Sequence, residues 1–285
     1  MSEMQGKVCI VTGSNSGIGK ETASALASMG ATVVMAVRNQ ERGKKARAEI
    51  TEVSDNDATD LMICDVSSTS SIRSFTEEFI GKYNRLDVLI NNAGAVFSKR
   101  ETTVDGFEST FEVDYLGMFL LTHELLPLLR SSAPARIINL SSGLYKSGRL
   151  DLNDLQSEKS YNGMQVYANA KLMVLMFTYA LARRLEGSGV TANAVMPGFA
   201  ATNLGRNTGS LRQSIMFKLV RPMQISPKKG AGTSVYLASS DEIRDVTGKC
   251  FAKKQEVTTA PVSYDKELQE KLWNRSLELL EMATF

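Results

Sequence analysis

Two side chains with complementary chemistry stand four residues apart in Tyr167-Ala-Asn-Ala-Lys171. The run over about 165–185 reads as a helix, and residues i and i+4 share one helix face. A free tyrosine, with a pKa of about 10, is a poor acid–base group at neutral pH. A neighbouring ammonium favours the phenolate and lowers that pKa. Tyr167 can then exchange a proton with a substrate oxygen. By itself the pair reads as an ordinary surface Tyr/Lys pair. A second candidate is Thr12-Gly-Ser-Asn-Ser-Gly-Ile-Gly19, which directly follows a β-rich run and opens a helical pattern. Glycine takes positive φ at no steric cost, and a bare Cα permits close approach to a pyrophosphate. The helix N-terminus adds free N–H groups and a partial positive charge. The G-x-x-x-G-x-G spacing differs from the usual G-x-G-x-x-G fingerprint, and a plain strand-to-helix turn is the competing reading.

The elements that must position these groups follow from hydrophobic period. Short β-rich runs at 7–12, 31–37, 60–64, 86–91, 135–141 and 190–195 alternate with helical patterns through 29, at 40–53, 70–83, 107–131 and 165–185. Strands alternating with helices predict right-handed βαβ units, an α/β fold with a Rossmann-type doubly wound parallel sheet. The 285 residues fit one domain spanning 1–285, since α/β folds reach about 250 residues as a unit. Beyond 197 the pattern loosens. A Gly/Ser/Asn-rich stretch at about 200–227 reads as a substrate loop or lid, with Phe199, Leu204, Leu211, Ile215, Met216, Phe217 and Leu219 as candidate apolar wall. A last helix, about 265–282, lies in a C-terminal extension of about 255–285.

Composition is ordinary globular, 43% hydrophobic and 22% charged. A net charge of +2 argues against a nucleic-acid partner. Cys9, Cys64 and Cys250 lie far apart without CxxC spacing, so neither a disulfide framework nor a metal site is expected. The single histidine, His123, argues against a histidine-based metal site or a Ser-His-Asp triad and reads as a helix-surface residue. The N-terminal residues lack a signal-peptide pattern. The longest apolar stretch, 118–129, is interrupted and falls short of the roughly 20 residues of a membrane span. A cytoplasmic protein without a membrane span is expected.

Five motifs in order resemble the short-chain dehydrogenase/reductase family. They are Thr12–Gly19, Asn91-Asn-Ala-Gly94, Ser141-Ser142, Tyr167-x-x-x-Lys171 and Pro197-Gly198, each at a strand end or on the expected helix. The resemblance covers about 5–255. It implies a nicotinamide cofactor held by Gly13, Ser14, Ser16, Gly17, Ile18 and Gly19, by Asp65 and Val66 at the adenine, and by Asn92, Ala93 and Gly94 at the ribose. It adds Tyr167, Lys171, Pro197 and Gly198 around the nicotinamide. It implies that Tyr167 is the acid–base group, that Ser142 holds the substrate oxygen, and that Lys171 tunes Tyr167 and binds ribose hydroxyls. Asp114 occupies the place of a family asparagine that helps hold a helix distortion, so a negative charge is expected near Lys171.

NAD-selective enzymes place an acid at the end of the second strand. Neutral Val37 stands there, followed by Arg38, whose guanidinium fork suits a 2′-phosphate. NADP(H) is therefore expected over NAD(H), while Arg42, Lys44 and Lys45 also fit a solvated basic face. Gly17-Ile-Gly-Lys-Glu-Thr22, Ala133-Pro-Ala-Arg-Ile-Ile-Asn139 and Asp154-Leu-Gln-Ser-Glu-Lys159 resemble the retinol dehydrogenase-like branch. That resemblance implies interconversion of a small apolar aldehyde or ketone and its alcohol, on a monomer or homodimer, with a tetramer as the further alternative. Two other functions compete: a non-catalytic NADP-binding sensor or scaffold, suggested by Asp114, and reduction of a double bond on the same scaffold.

Overall fold

A computed structural model describes residues 4–198 and 225–282. Along the first stretch run β1 (Val8–Thr12), α1 (Gly17–Ser28), β2 (Thr32–Val37), α2 (Gln40–Ser54), β3 (Thr59–Ile63), α3 (Thr69–Lys82) and β4 (Val88–Asn91). A helical turn α4 (Ser109–Phe111) then passes through a π turn (Glu112–Leu116) into α5 (Gly117–Ser131), followed by β5 (Ala135–Leu140), α6 (Gly163–Arg184) and β6 (Val190–Val195). The second stretch holds α7 (Pro227–Ser239), β7 (Cys250–Ala252), β8 (Gln255–Glu256) and α8 (Lys266–Leu279).

The strands form one sheet in the order β3-β2-β1-β4-β5-β6-β7-β8. All pairs are parallel except the β7–β8 hairpin. Strand order reverses between β1 and β4, and ligands of doubly wound sheets bind outside the carboxyl ends of strands at such a switch point. Every residue of β1 and β4 is buried, as expected for parallel strands covered on both faces. One apolar layer packs α3, α5, α6 and α8 on the sheet, with Phe75, Phe119, Phe177 and Trp273 among its residues. The other packs α1, α2 and α7 through Leu26, Ile50 and Leu237.

Three features depart from the sequence reading. The helix expected over 107–131 is broken by the π turn, which directly precedes Gly117. A Cβ on Gly117 would collide with the Val66 carbonyl, so the helix approaches that strand end as only glycine allows. Second, Pro227–Ser239 is a helix, although the sequence reading ran a loop to 227 and assigned no helix between there and 265. Ser226 caps it by accepting from the Lys229 amide, and Pro227 sits at its first turn. Third, His123 is half-buried on α5 and borders Phe119, Phe177 and Trp273 instead of facing solvent. The apolar residues expected at 199–219 lie outside the described residues.

Trp273 of α8 fixes the C-terminal segment to the core. Its ring stacks on Phe177 at 5.6 Å and meets Phe119 edge-on at 4.9 Å. The Arg184 guanidinium lies 4.0 Å from its centroid. Trp273→Ala removes a buried aromatic and a cation–π contact, and is expected to cost about 3–5 kcal/mol in urea unfolding.

Candidate active site

The carboxyl ends of β1, β2, β4 and β5 open on a cleft of about 380 Å³. Its floor begins at the β1–α1 turn. Gly13 and Gly17 take φ of +65° and +59°, which glycine adopts freely. A Cβ on Gly19 would strike the Asn92 amide and lie 2.7 Å from the Gly13 carbonyl. Asn92 itself is pinned to β1: its side-chain amide donates to the Thr12 carbonyl at 2.7 Å, and its backbone N–H donates to Thr12 Oγ1 at 2.9 Å. Ser16, the N-cap of α1, makes no side-chain cap, whereas α2, α3, α6, α7 and α8 are each capped by a side chain. The first amides of α1 are thus left for a ligand in the cleft.

Of the residues expected to hold a cofactor, Gly13, Ser16, Gly17, Ile18 and Gly19 line this cleft, as do Arg38, Asp65 and Val66. Asn92, Ala93, Gly94, Pro197 and Gly198 line it as well. Ser14 does not: it is fully buried and absent from the lining, and the next residue, Asn15, reaches the cleft instead. The Arg38 side chain is largely exposed, with Nε 4.0 Å from Asp65 Oδ2, and Asn39 and Arg42 stand beside it on the cleft.

At the far end Ser142, Tyr167, Lys171 and Asp114 converge from the end of β5, α6 and the π turn. The two serines divide in orientation. Ser141 is buried and donates to the Lys171 carbonyl at 2.9 Å. Ser142 is partly exposed, accepts the Leu144 amide at 3.3 Å and lines the cleft with Tyr167. Lys171 Nζ lies 5.4 Å from the Tyr167 ring centroid and donates to the Leu140 carbonyl at 3.2 Å. It also forms a buried ion pair with Asp114 Oδ2 at 3.1 Å. Asp114 Oδ1 accepts the Ala95 amide at 2.6 Å. Burial pushes the Asp114 carboxyl up, with Lys171 pulling against it. Burial opposes the charge on Lys171, yet Asp114 leads the groups that hold its pKa above the ordinary value. Burial also raises Tyr167, with Lys171 lowering it and Asp114 raising it.

The sequence reading missed the apolar wall beside Ser142 and Tyr167. Phe97, Leu144 and Met164 line it. Met164 lies three residues before Tyr167 on α6, a helical spacing that shares a face. Phe97 is fixed from behind: Tyr161 Oη donates to its carbonyl at 3.1 Å, and a Cβ on Gly163 would collide with that carbonyl.

The family profile described as short chain dehydrogenase matches residues 7–212. Among curated relatives, retinol dehydrogenase 12 of Mus musculus is 41% identical over 98% of this chain and 87% of its own. Retinol dehydrogenase 13 of Homo sapiens is 42% identical over 96% and 85%. Among solved structures, an uncharacterized protein from Mycobacterium Paratuberculosis superposes with a TM-score of 0.80 at 31% identity, covering 98% of this chain and 94% of that one. The chain therefore belongs to the short-chain dehydrogenase family, in its retinol dehydrogenase-like branch, and is an oxidoreductase of the alcohol/carbonyl class.

Beside Asp114 on the π turn, Glu112 is fully buried. Burial pushes its carboxyl up to about 8, with Thr103 opposing and Asp105 adding to the rise. The folded chain thus holds a proton that the unfolded chain releases near pH 4.3. Stability from this proton is full below that pH and is lost as pH rises toward about 8. Glu112→Gln keeps the shape and removes the titrating proton. Urea midpoints of this variant are expected to decline less than those of the parent between about pH 5 and 8.

Proposed function

We propose that the chain interconverts a small apolar aldehyde or ketone and its alcohol with NADP(H). The observation that carries this reading is the convergence of Ser142, Tyr167 and Lys171 at one end of a cleft whose other end is a glycine cradle. The cradle fits the cofactor. A Cβ would fill the space at Gly19, and the α1 amides lack a side-chain cap. Gly13, Ser16, Gly17, Ile18 and Gly19 would hold its phosphates. Asp65 and Val66 would flank the adenine, and Asn92, Ala93 and Gly94 the ribose. Pro197 and Gly198 would close over the nicotinamide. When bound, the cofactor gives hydride to, or takes it from, the substrate carbon.

The remaining steps belong to the chain. Ser142 donates a hydrogen bond to the substrate oxygen and stabilises charge that develops there. Tyr167 passes its hydroxyl proton to that oxygen in reduction and takes one in oxidation. Lys171 holds ribose hydroxyls and places an ammonium beside the Tyr167 ring. Phe97, Leu144 and Met164 exclude water and favour an apolar substrate, in keeping with relatives named retinol dehydrogenases. Arg38, with Asn39 and Arg42 beside it, favours the 2′-phosphate of NADP(H).

NADPH consumption with a panel of aldehydes and ketones, retinal included, tests the activity. Tyr167→Phe is expected to lose about 10²–10⁴-fold in rate while NADPH binding, read by fluorescence, is retained. NADPH binding without turnover of any panel member would instead favour a binding-only protein. Arg38→Asp is expected to weaken NADPH relative to NADH by about tenfold or more, since a charge-assisted contact contributes about 1.5–3 kcal/mol. An unchanged ratio of KM values would reject Arg38 as the selector.

A further inference from the structure

We infer that Asp114 is a positioning residue that keeps Tyr167 a proton donor: by neutralising Lys171 from behind, it makes the chain a carbonyl reductase at neutral pH and a poor alcohol dehydrogenase. The inference rests on the reading of Tyr167 as the acid–base group and concerns the state in which Tyr167 waits.

The argument is one of buried charge. Asp114 and Lys171 expose 0% and 5% of their side chains and lie 3.1 Å apart. Asp114 Oδ1 accepts from the Ala95 amide, and Oδ2 faces the ammonium, an environment that suits a carboxylate. Among the described residues, the charged or titratable groups acting on Tyr167 are Lys171 on its own helix and Asp114 on the π turn. The end of β5 contributes only the neutral Ser142 hydroxyl and the Leu140 carbonyl. With Asp114 ionised, Lys171 charged and Tyr167 protonated, the set carries no net charge. Removing the tyrosine proton then leaves a net negative charge in a site shielded from water, which is costly. Without Asp114 the same set would be positive, and losing a proton would bring it to neutrality. The three groups titrate together, and the carboxylate sets which loss is hard.

The consequence is directional. In reduction the Tyr167 O–H bond breaks as an O–H bond forms on the substrate oxygen, while the hydride of the reduced cofactor goes to the substrate carbon. Oxidation runs both transfers in reverse and needs Tyr167 to start without its proton. A site that keeps that proton serves reduction at neutral pH and admits oxidation as pH rises. The overall equilibrium is unchanged; what moves is the pH at which each direction is fast.

The test is Asp114→Asn, which keeps the size and the acceptor for the Ala95 amide. Ultraviolet difference titration of the cofactor-free protein, with Tyr167→Phe subtracted to isolate one tyrosinate, reads the ionisation directly. The Asn variant is expected to ionise Tyr167 at a pH lower by about one unit or more. The pH profile of alcohol oxidation should move down with it. A midpoint that stays in place or rises overturns the inference. If Asp114→Asn does not fold, Asp114→Thr removes the same charge and is read in the same way. Should Tyr167→Phe keep its rate, the reading of Tyr167 fails. Should Tyr167→Phe lose its rate while the Asp114→Asn midpoint stays put, only the role of Asp114 fails.

Discussion

A lysine ammonium with almost no exposure to water is expensive to bury, and much of the cleft is arranged around Lys171. An unpaired buried charge is strongly destabilising. Its partners therefore come from three separate elements. Asp114 arrives from the π turn, Leu140 offers its carbonyl from the end of β5, and Tyr167 presents its ring from one helical turn away. Each imposes a condition elsewhere. Asp114 and Lys171 leave little room at the cleft floor, so residue 94 is glycine: a Cβ there would lie 3.3 Å from Asp114 Oδ1 and 3.4 Å from Lys171 Nζ. The Ser141 hydroxyl is engaged by the Lys171 carbonyl, and Ser142 lines the cleft with Tyr167.

The same economy of space governs the opposite end. The β1–α1 turn, the end of β4 and the first turn of α1 approach so closely that Gly13, Gly19 and Asn92 define one another's positions. Thr12 Oγ1 accepts from both the Asn92 and Ala93 amides, tying two strands into one rim. Deeper in the sheet, Asn91 donates to Asn139 and Asn139 donates to Thr178, a polar chain across β4, β5 and α6. These bonds link β4, β5 and α6 side chain to side chain beneath the cleft. The two ends of the cleft are thus joined through the sheet beneath it.

Much of this was legible in the sequence because strands and helices announce themselves by period. The strand starts and ends at Val8–Thr12, Thr32–Val37 and Val190–Val195 fall within a residue of the pattern. The π turn was not legible in the period; only the family resemblance at Asp114 pointed to a helix distortion there. The helical pattern runs on through 107–131, and the close approach of Gly117 to Val66 is a contact that a period does not report. Helix α7 carries two glycines and no clean apolar stripe, so its stability comes from packing on α1, which a period cannot report. Ser14 and Asn15 differ by one position in a tight turn, and a period does not report that Ser14 is buried and Asn15 lines the cleft. Phe97 and Leu144 escaped notice because their chemistry is bland and their placement depends on contacts between loops.

The C-terminal helix belongs to the same argument. Its buried face carries Leu272, Trp273, Ser276 and Leu277, and it covers α5 and α6 on the side away from the cleft. Ser276 hydrogen-bonds Tyr115 at 2.7 Å, and both residues are fully buried. Tyr115 follows Asp114 directly on the π turn. Moving away from the hydrogen-bond pattern of an α-helix leaves this turn dependent on its neighbours. Val66 blocks it on one side through Gly117, and Ser276 holds it on the other through Tyr115. The carboxylate that neutralises Lys171 is therefore held in register partly by a helix more than a hundred residues downstream. Arg183 and Arg184 on α6, paired with Glu270, fasten that helix to the element that carries Tyr167 and Lys171. The extension thus closes a loop of contacts from α6 through α8 to the π turn and back to the buried lysine.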